Sequence, residues 1–341
     1  MKNQTFLKVV LCCSLGALIL LSTQVQGQPS RSRGRGLYGD WQITYQAGER
    51  QRGAIISFSR DSEGNRTGQW ISFMSLSDLE DLNYEDGKLR FTRSSRGRDG
   101  QSTMSKFTGT IQDGILSGTM SSDRGEYKVE GKPRPRIPRA VGTWQMKVKM
   151  GDRERESTIT IKVDKEGKLS GQWSSDRGTP LQISEVQYER GNVSFTMVGK
   201  REDREWKMSF KGTIDRETDT LTGTFTSNRG EIEAVGKRAG TPLIGTWILE
   251  STSERGTRKQ RLMVNPDMSG LYGAIPIKKI NFEEGKVDFL LVLQFGDQSF
   301  EMTFAGKLED SKLIGELTSS RGSQKVKGTK IVRTFRRRSS Q

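Results

Sequence analysis

Apolar and polar residues alternate with a period of two through most of residues 37–333, the pattern of strands with one buried and one solvated face. Residues 141–240 show it most plainly. Trp144, Met146, Val148 and Met150 alternate with Gln145, Lys147 and Lys149. Ile159, Ile161 and Val163 follow, then Leu169, Gly171 and Trp173, then Leu181 and Ile183. Val193, Phe195 and Met197, then Trp206, Met208 and Phe210, then Leu221, Gly223 and Phe225 lead to a last segment from Ile232 to Val235. Turn-forming clusters separate these runs: Gly151-Asp152, Asp164 to Gly167, Asp176-Arg177-Gly178, Glu189-Arg190-Gly191 and Ser227 to Gly230. Eight short strands are expected, and no window carries an amphipathic helix.

The same pattern occurs three times. Gly39-Asp40-Trp41, Gly142-Thr143-Trp144 and Gly245-Thr246-Trp247 recur 103 residues apart. Thr67-Gly68-Gln69-Trp70 returns as Ser170-Gly171-Gln172-Trp173 and as Ser269-Gly270-Leu271-Tyr272. Phe107-Thr108-Gly109 returns as Phe210-Lys211-Gly212 and Phe304-Ala305-Gly306. Leu116-Ser117-Gly118-Thr119 returns as Leu221-Thr222-Gly223-Thr224 and Leu313-Ile314-Gly315-Glu316, each followed by an Arg-Gly hairpin at Arg124, Arg229 and Arg321. Landmarks kept in one order at a fixed period are the mark of tandem modules. A meander with one apolar face must cover it, and closure into a barrel also removes its edges. The expected fold is therefore all-β: three tandem eight-stranded antiparallel up-and-down meander barrels, with small β-sandwiches as the alternative. The glycines at 212 and 223 suit a sharply coiled small barrel.

A Gly-x-Trp opening the first strand of such a meander resembles the calycin superfamily of lipocalins and fatty-acid-binding proteins. The fuller pattern, Gly-Thr-Trp to Leu-Thr-Gly-Thr to a closing Gly-Lys, is similar to a repeated module of secreted planctomycete and acidobacterial proteins, where it is also appended to hydrolases. The resemblance implies that each Gly-x-Trp indole packs at the closed end of its barrel under a basic side chain of the last strand. The matching pairs would be Trp41 with Lys132, Trp144 with Lys237 or Arg238, and Trp247 with Lys330.

The N-terminus changes the picture by placing the chain outside the cytoplasm. Met1-Lys2 and Lys8 precede an apolar run from Val9 to Leu21, and Val25-Gln26-Gly27 supplies small residues for cleavage. Residues 1–27 are expected to be a signal peptide, and the protein secreted, periplasmic or bound to the cell envelope. Cys12 and Cys13 head the apolar run, which argues against a lipoprotein anchor, and no later stretch is apolar enough for a transmembrane segment. The chain has no His, and no Cys outside the signal. Ser-His-Asp and Cys-His catalysis, Cys/His zinc sites and attached haem are thereby excluded. No acidic residue recurs at an apolar-flanked strand position in all three copies, so no enzyme, cofactor or metal is expected.

The formal net charge is +15, but it is unevenly spread. The expected modules, 37–132, 141–240 and 241–333, are each close to neutral. Arg31, Arg33 and Arg35 lie in a basic arm (28–36), Arg134, Arg136 and Arg139 in a basic linker (133–140), and Arg336, Arg337 and Arg338 in a basic tail (334–341). Flexible basic connectors attract polyanions. Arg-Gly pairs add to this at Arg96, Arg124, Arg177, Arg229, Arg255 and Arg321; the turn explains Gly, whereas no turn demands Arg. These arginines are the candidate binding residues for an anionic polysaccharide or envelope polymer. No specific nucleic acid is implied.

Trp41, Trp144, Trp247, Trp70 and Trp173 read as structural plugs, with sugar stacking on Trp70, Trp173 and Tyr272 as the competing reading. In the third copy Leu290 and Val292 point outward between Phe289, Leu291 and Leu293, which offers a face to the second module or to another protein. A monomeric, non-enzymatic binder or spacer is the leading expectation. A calycin-like carrier of a small apolar ligand and an accessory module of a secreted hydrolase are the alternatives.

Overall fold

The computed structural model describes residues 36–331, apart from 48–49, 74, 97–100, 151–152, 176–178, 202–203, 254–255 and 296–297. The expected signal peptide, the N-terminal arm before Gly36 and the basic tail lie outside the described residues. The described residues form strands and turns without a helix. The first copy contains β1 (Gly39–Ala47), β2 (Arg50–Arg60), β3 (Arg66–Ile71), β4 (Leu76–Asp78), β5 (Glu80–Glu85), β6 (Lys88–Arg96), β7 (Ser102–Gln112), β8 (Ile115–Ser122) and β9 (Gly125–Pro133). The second contains β10 (Gly142–Met150), β11 (Arg153–Val163), β12 (Leu169–Ser175), β13 (Leu181–Glu189), β14 (Asn192–Arg201), β15 (Arg204–Ile214), β16 (Thr220–Ser227) and β17 (Gly230–Arg238). The third contains β18 (Gly245–Ser253), β19 (Gly256–Val264), β20 (Gly270–Tyr272), β21 (Ile275–Ile277), β22 (Ile280–Glu283), β23 (Lys286–Phe295), β24 (Gln298–Glu309), β25 (Lys312–Ser319) and β26 (Gly322–Lys330).

Each copy is an antiparallel meander whose last strand returns to its first. In the second, β10 to β17 pair in order and close a barrel. In the first and third, the fourth strand is broken into β4 and β5, or β21 and β22, leaving a seam between the two pieces. In the second copy that strand is whole; it carries a bulge between Ser184 and Gln187, with Glu185 at a φ of 54°, which β5 of the first copy repeats between Glu80 and Asn83. On the second barrel most inward positions are apolar and most outward ones polar or charged, as in Lys147, Glu154 and Lys162. A barrel facing lipid would show the reverse.

One device packs all three interiors. Gly109 pairs with Gly118, Gly212 with Gly223, and Gly306 with Gly315. A side chain at any of them would collide with the ring of Phe107, Phe210 or Phe304. Those rings stack on Phe91, Phe195 and Phe289, with centroids 4.7, 4.9 and 4.9 Å apart. Each stack contributes about 0.5–1.5 kcal/mol beyond its burial.

The first and third barrels are joined directly. Ile55 and Ile71 of the first and Leu271 of the third form a buried apolar cluster, flanked by Leu76, Met263 and Ala274. Gln260 Nε2 donates to the carbonyls of Ser72 (2.9 Å) and Phe73 (2.8 Å), and Phe73 packs on the third core. Gly273 has a φ of 59°, and a Cβ there would strike the Ser72 carbonyl. Arg261 reaches Asp40 across the same interface. At the equivalent positions the middle copy carries Thr158, Ser174, Gln172 and Thr160 in place of Ile55 or Arg261, Ile71, Leu271 and Met263.

Leu290 and Val292 do not meet the second barrel. They remain 44% and 43% exposed, so the third copy docks through β19 and β20. The basic linker is also no free arm. The Arg134 amide donates to the Asp40 carbonyl, Ile137 packs on the second core, and Ala140 is fully buried.

Candidate functional site

The Arg-Gly hairpins lie at the barrel ends away from the Gly-x-Trp tryptophans, where β8 meets β9, β16 meets β17 and β25 meets β26. Their backbone is set by serine and glycine. Ser122, Ser227 and Ser319 each accept from the amide of Arg124, Arg229 or Arg321 at 3.2 Å and donate to the carbonyl of Gly125, Gly230 or Gly322 at 3.3–3.4 Å. Those glycines hold φ values of 112°, 115° and 112°, which a side chain would resist. Arg124, Arg229 and Arg321 are exposed, with the Arg321 guanidinium 5.6 Å from the Phe300 ring. Arg96 ends β6, and nothing is described of its side chain. Arg177, Arg255, Arg336, Arg337 and Arg338 lie outside the described residues.

At the opposite ends, Trp41, Trp144 and Trp247 are buried, and each indole N–H donates to the carbonyl four residues earlier: Leu37 (2.8 Å), Ala140 (2.9 Å) and Leu243 (2.7 Å). Their cations differ. Arg238, not Lys237, covers Trp144 at 4.0 Å, while Lys237 faces solvent. The Arg238 side chain is almost wholly buried, bridges to Asp219 at 2.7 Å, and donates to the carbonyls of Val141 and Arg139. Lys330 lies 5.5 Å from Trp247 and donates to the Pro242 carbonyl at 2.8 Å. The pair implied for Trp41 does not form. Pro133 is opposite Trp41, and Lys132 is paired with Gln42 and exposed; strand alternation turns it outward. At this end of the first barrel Asp40 faces Arg261, with the charge of Arg134 near it and the Arg136 guanidinium close to Gly39.

Trp70 is fully buried, Tyr272 nearly so, and Trp173 half-buried against the second core. Burial pushes the Tyr272 phenol up to about 12 against the opposing charge of Arg258. Trp70 and Tyr272 present no open face for a sugar ring.

The interior of the first barrel, at the hairpin end, holds a group the sequence did not disclose. The Arg93 guanidinium lies 4.6 Å from the Trp70 ring, and its Nε donates to Ser77 Oγ at 3.2 Å. Tyr45 meets Trp70 edge-on at 5.5 Å and Tyr127 at 5.3 Å. Ser105 and Thr103 are buried beside them on β7. The indole N–H of Trp70 is buried without an acceptor. Desolvation lowers the Arg93 pKa, offset in part by Tyr127 and Tyr45, and raises that of Tyr127 against the pull of Arg93. Arginine keeps its charge regardless. Alternation along β6 puts Arg93 in phase with Leu89 and Phe91; an inward arginine is the one signal of this group that the sequence carries.

Two open grooves, of about 710 and 540 Å³, run along the outer faces of β13–β16 and β5–β7. Lys211, Asn192 and Thr213 line the first, and Asp81, Lys88 and Arg90 the second, a mixture of charges that selects no ligand class. Among the described residues no group of three or more His, Cys, Asp or Glu could hold a metal ion, and no helix is long and apolar enough to cross a membrane.

No family model and no curated protein matches the chain. Among solved structures it is similar to transferrin binding protein B from Haemophilus parasuis, with 10% identity over 87% of this chain and 76% of that one and a TM-score of 0.18. The isotype 1 transferrin binding protein B of serogroup B Neisseria meningitidis gives 11% identity, 85% and 75% coverage and a TM-score of 0.17. A DUF3598-family protein of unknown function from Nostoc punctiforme gives 12% identity, 59% and 96% coverage and a TM-score of 0.18.

Proposed function

We propose that this chain is a non-enzymatic protein of the cell envelope or exterior, in which three calycin-like modules form a scaffold that binds anionic surface polymer through basic hairpin tips and tails. One observation carries the reading: Arg124, Arg229 and Arg321 occupy the same tip position three times, where serine and glycine already determine the turn. Each tip supplies one guanidinium suited to carboxylate or sulfate. Single contacts of this kind are weak in water, and repetition on one chain raises avidity. The interiors favour this over a carrier of apolar ligands, because Trp41, Phe107, Trp144, Phe210, Trp247 and Phe304 fill them.

The test is binding of residues 28–341 to a sulfated or uronic-acid polymer across a salt series. The triple variant Arg124→Ser, Arg229→Ser, Arg321→Ser and a chain lacking residues 28–36 and 334–341 are compared with it. Both changes are expected to weaken binding and to flatten its salt dependence, since screened contacts are removed. Equal affinity and an equal slope in both would refute the reading.

A further inference from the structure

We propose that the mouth of the first barrel is an oxyanion site, in which Arg93, Tyr45 and Tyr127 receive the carboxylate, sulfate or phosphate group of a small acidic ligand. This goes beyond the polymer reading, because it concerns the inside of one barrel and no hairpin tip.

The other two barrels serve as internal controls. Where the first has Tyr45, Arg93, Ser105 and Tyr127, the second has Val148, Met197, Met208 and Ile232, all packed on its core. The third has Leu291, fully buried, at the place of Arg93 and Met302 at that of Ser105, with Ser251 and Gln324 at those of Tyr45 and Tyr127. The second barrel therefore shows that apolar side chains suffice to fill this space in the fold, and neither has a cation there. The first barrel has placed a cation and three hydroxyl groups there, at a cost in desolvation.

The chain shows twice how it treats a buried arginine that is purely structural. Arg238 is bridged to Asp219, and Arg261 to Asp40, each at 2.7 Å. Among the described residues Arg93 has no carboxylate partner, only the Ser77 hydroxyl and the face of Trp70. A guanidinium has five donors in a planar fork, and two terminal nitrogens remain to be matched. The complement of a half-buried guanidinium that has no carboxylate partner among the described residues and stands beside phenol donors is a bidentate oxyanion. Tyr45, Tyr127, Ser95 and Ser77 are half-buried, so the group stands at an opening and not in the closed core.

Calorimetric and thermal-shift titrations of residues 28–341 with sodium sulfate, inorganic phosphate and glucuronate test this, with glucose and sodium chloride as controls. One saturable site is expected for at least one of the three anions, and which anion saturates identifies the source. Arg93→Met installs the side chain that the second barrel tolerates at this position. It is expected to keep the fold and to weaken that anion at least about tenfold. Arg93→Lys keeps the charge but loses the fork, and should weaken binding severalfold, which preserves the test if the Met variant does not fold. No saturation by any of the three anions, or wild-type affinity in the folded Arg93 variant, overturns the proposal. Either result leaves the polymer titration standing or falling on its own salt slope.

Discussion

Arg261 and Asp40, 221 residues apart in the chain, meet in a two-point ion pair: Nη1 donates to Oδ1 at 3.1 Å and Nη2 to Oδ2 at 2.7 Å. Burial alone would raise the Asp40 carboxyl. The charge and hydrogen bonds of Arg261, the Ser57 hydroxyl and the charge of Arg134 outweigh it and hold the carboxyl below its ordinary value of 3.8. A depressed carboxylate contributes stability above its unfolded value and loses it as the pH falls through its folded one. The contact between the first and third barrels is therefore expected to weaken in acid below about pH 3.8, read as an acid-dependent fall in melting temperature that Asp40→Asn flattens.

Breaking that pair from one side should be costly, because Arg261 is left buried and uncompensated. Asp40→Thr is expected to cost about 3–5 kcal/mol. Adding Arg261→Thr should recover most of it, since the second copy has threonine at both positions, 143 and 158. Denaturant titration of the two single variants and the double variant measures the coupling.

The apolar part of the same interface can be removed without touching either core. Ile71→Ser and Leu271→Gln install the residues of the middle copy, Ser174 and Gln172. Each loses about 1.5–3 kcal/mol of burial. Together they should leave the barrels folded but no longer joined, seen as a larger radius of gyration in solution scattering and as separated thermal transitions. Unchanged scattering would show that the polar contacts of Gln260 and Arg261 hold the barrels by themselves.

Trp144 and Arg238 form the best-satisfied closed end of the three. Trp144→Ala is expected to cost about 3–5 kcal/mol. Arg238→Ala should cost a similar amount, because Asp219 and two carbonyls lose their donor. Arg238→Lys should cost less, as Lys330 serves Trp247 in the third barrel. Chemical unfolding followed by the near-ultraviolet signal of the indole ranks the three.

A fragment of residues 137–240 should fold alone and melt cooperatively, as a barrel of this size buries a viable core. Starting at 141 instead removes the Ala140 carbonyl that accepts from Trp144 and the Arg139 carbonyl that accepts from Arg238. Leaving such groups without partners costs about 1–3 kcal/mol each. The shorter fragment is expected to melt several degrees lower. Equal melting would mean that the linker carbonyls contribute nothing to the closed end of the barrel.

The residues themselves determined the strands, their one-sided faces and their threefold recurrence, because a period of two is a local property and repetition needs no partner. Trp144, Phe195 and Phe210 could be assigned to an interior from their phase alone. That phase does not say which basic residue of the last strand turns inward. Register decided for Arg238 over Lys237, and it put Pro133 opposite Trp41. Ile55 and Ile71 stood in the sequence as apolar residues on the solvent side of the first copy, and Leu271 and Met263 on that of the third. Only the tertiary structure brought those four together, since strands some two hundred residues apart pair their outer faces through complementary shape and charge that no local pattern encodes. The Arg93 cluster came about in the same way. One inward arginine is an anomaly in a strand, and it becomes a site only when barrel closure sets Tyr45, Trp70 and Tyr127 around it and supplies no carboxylate among the described residues.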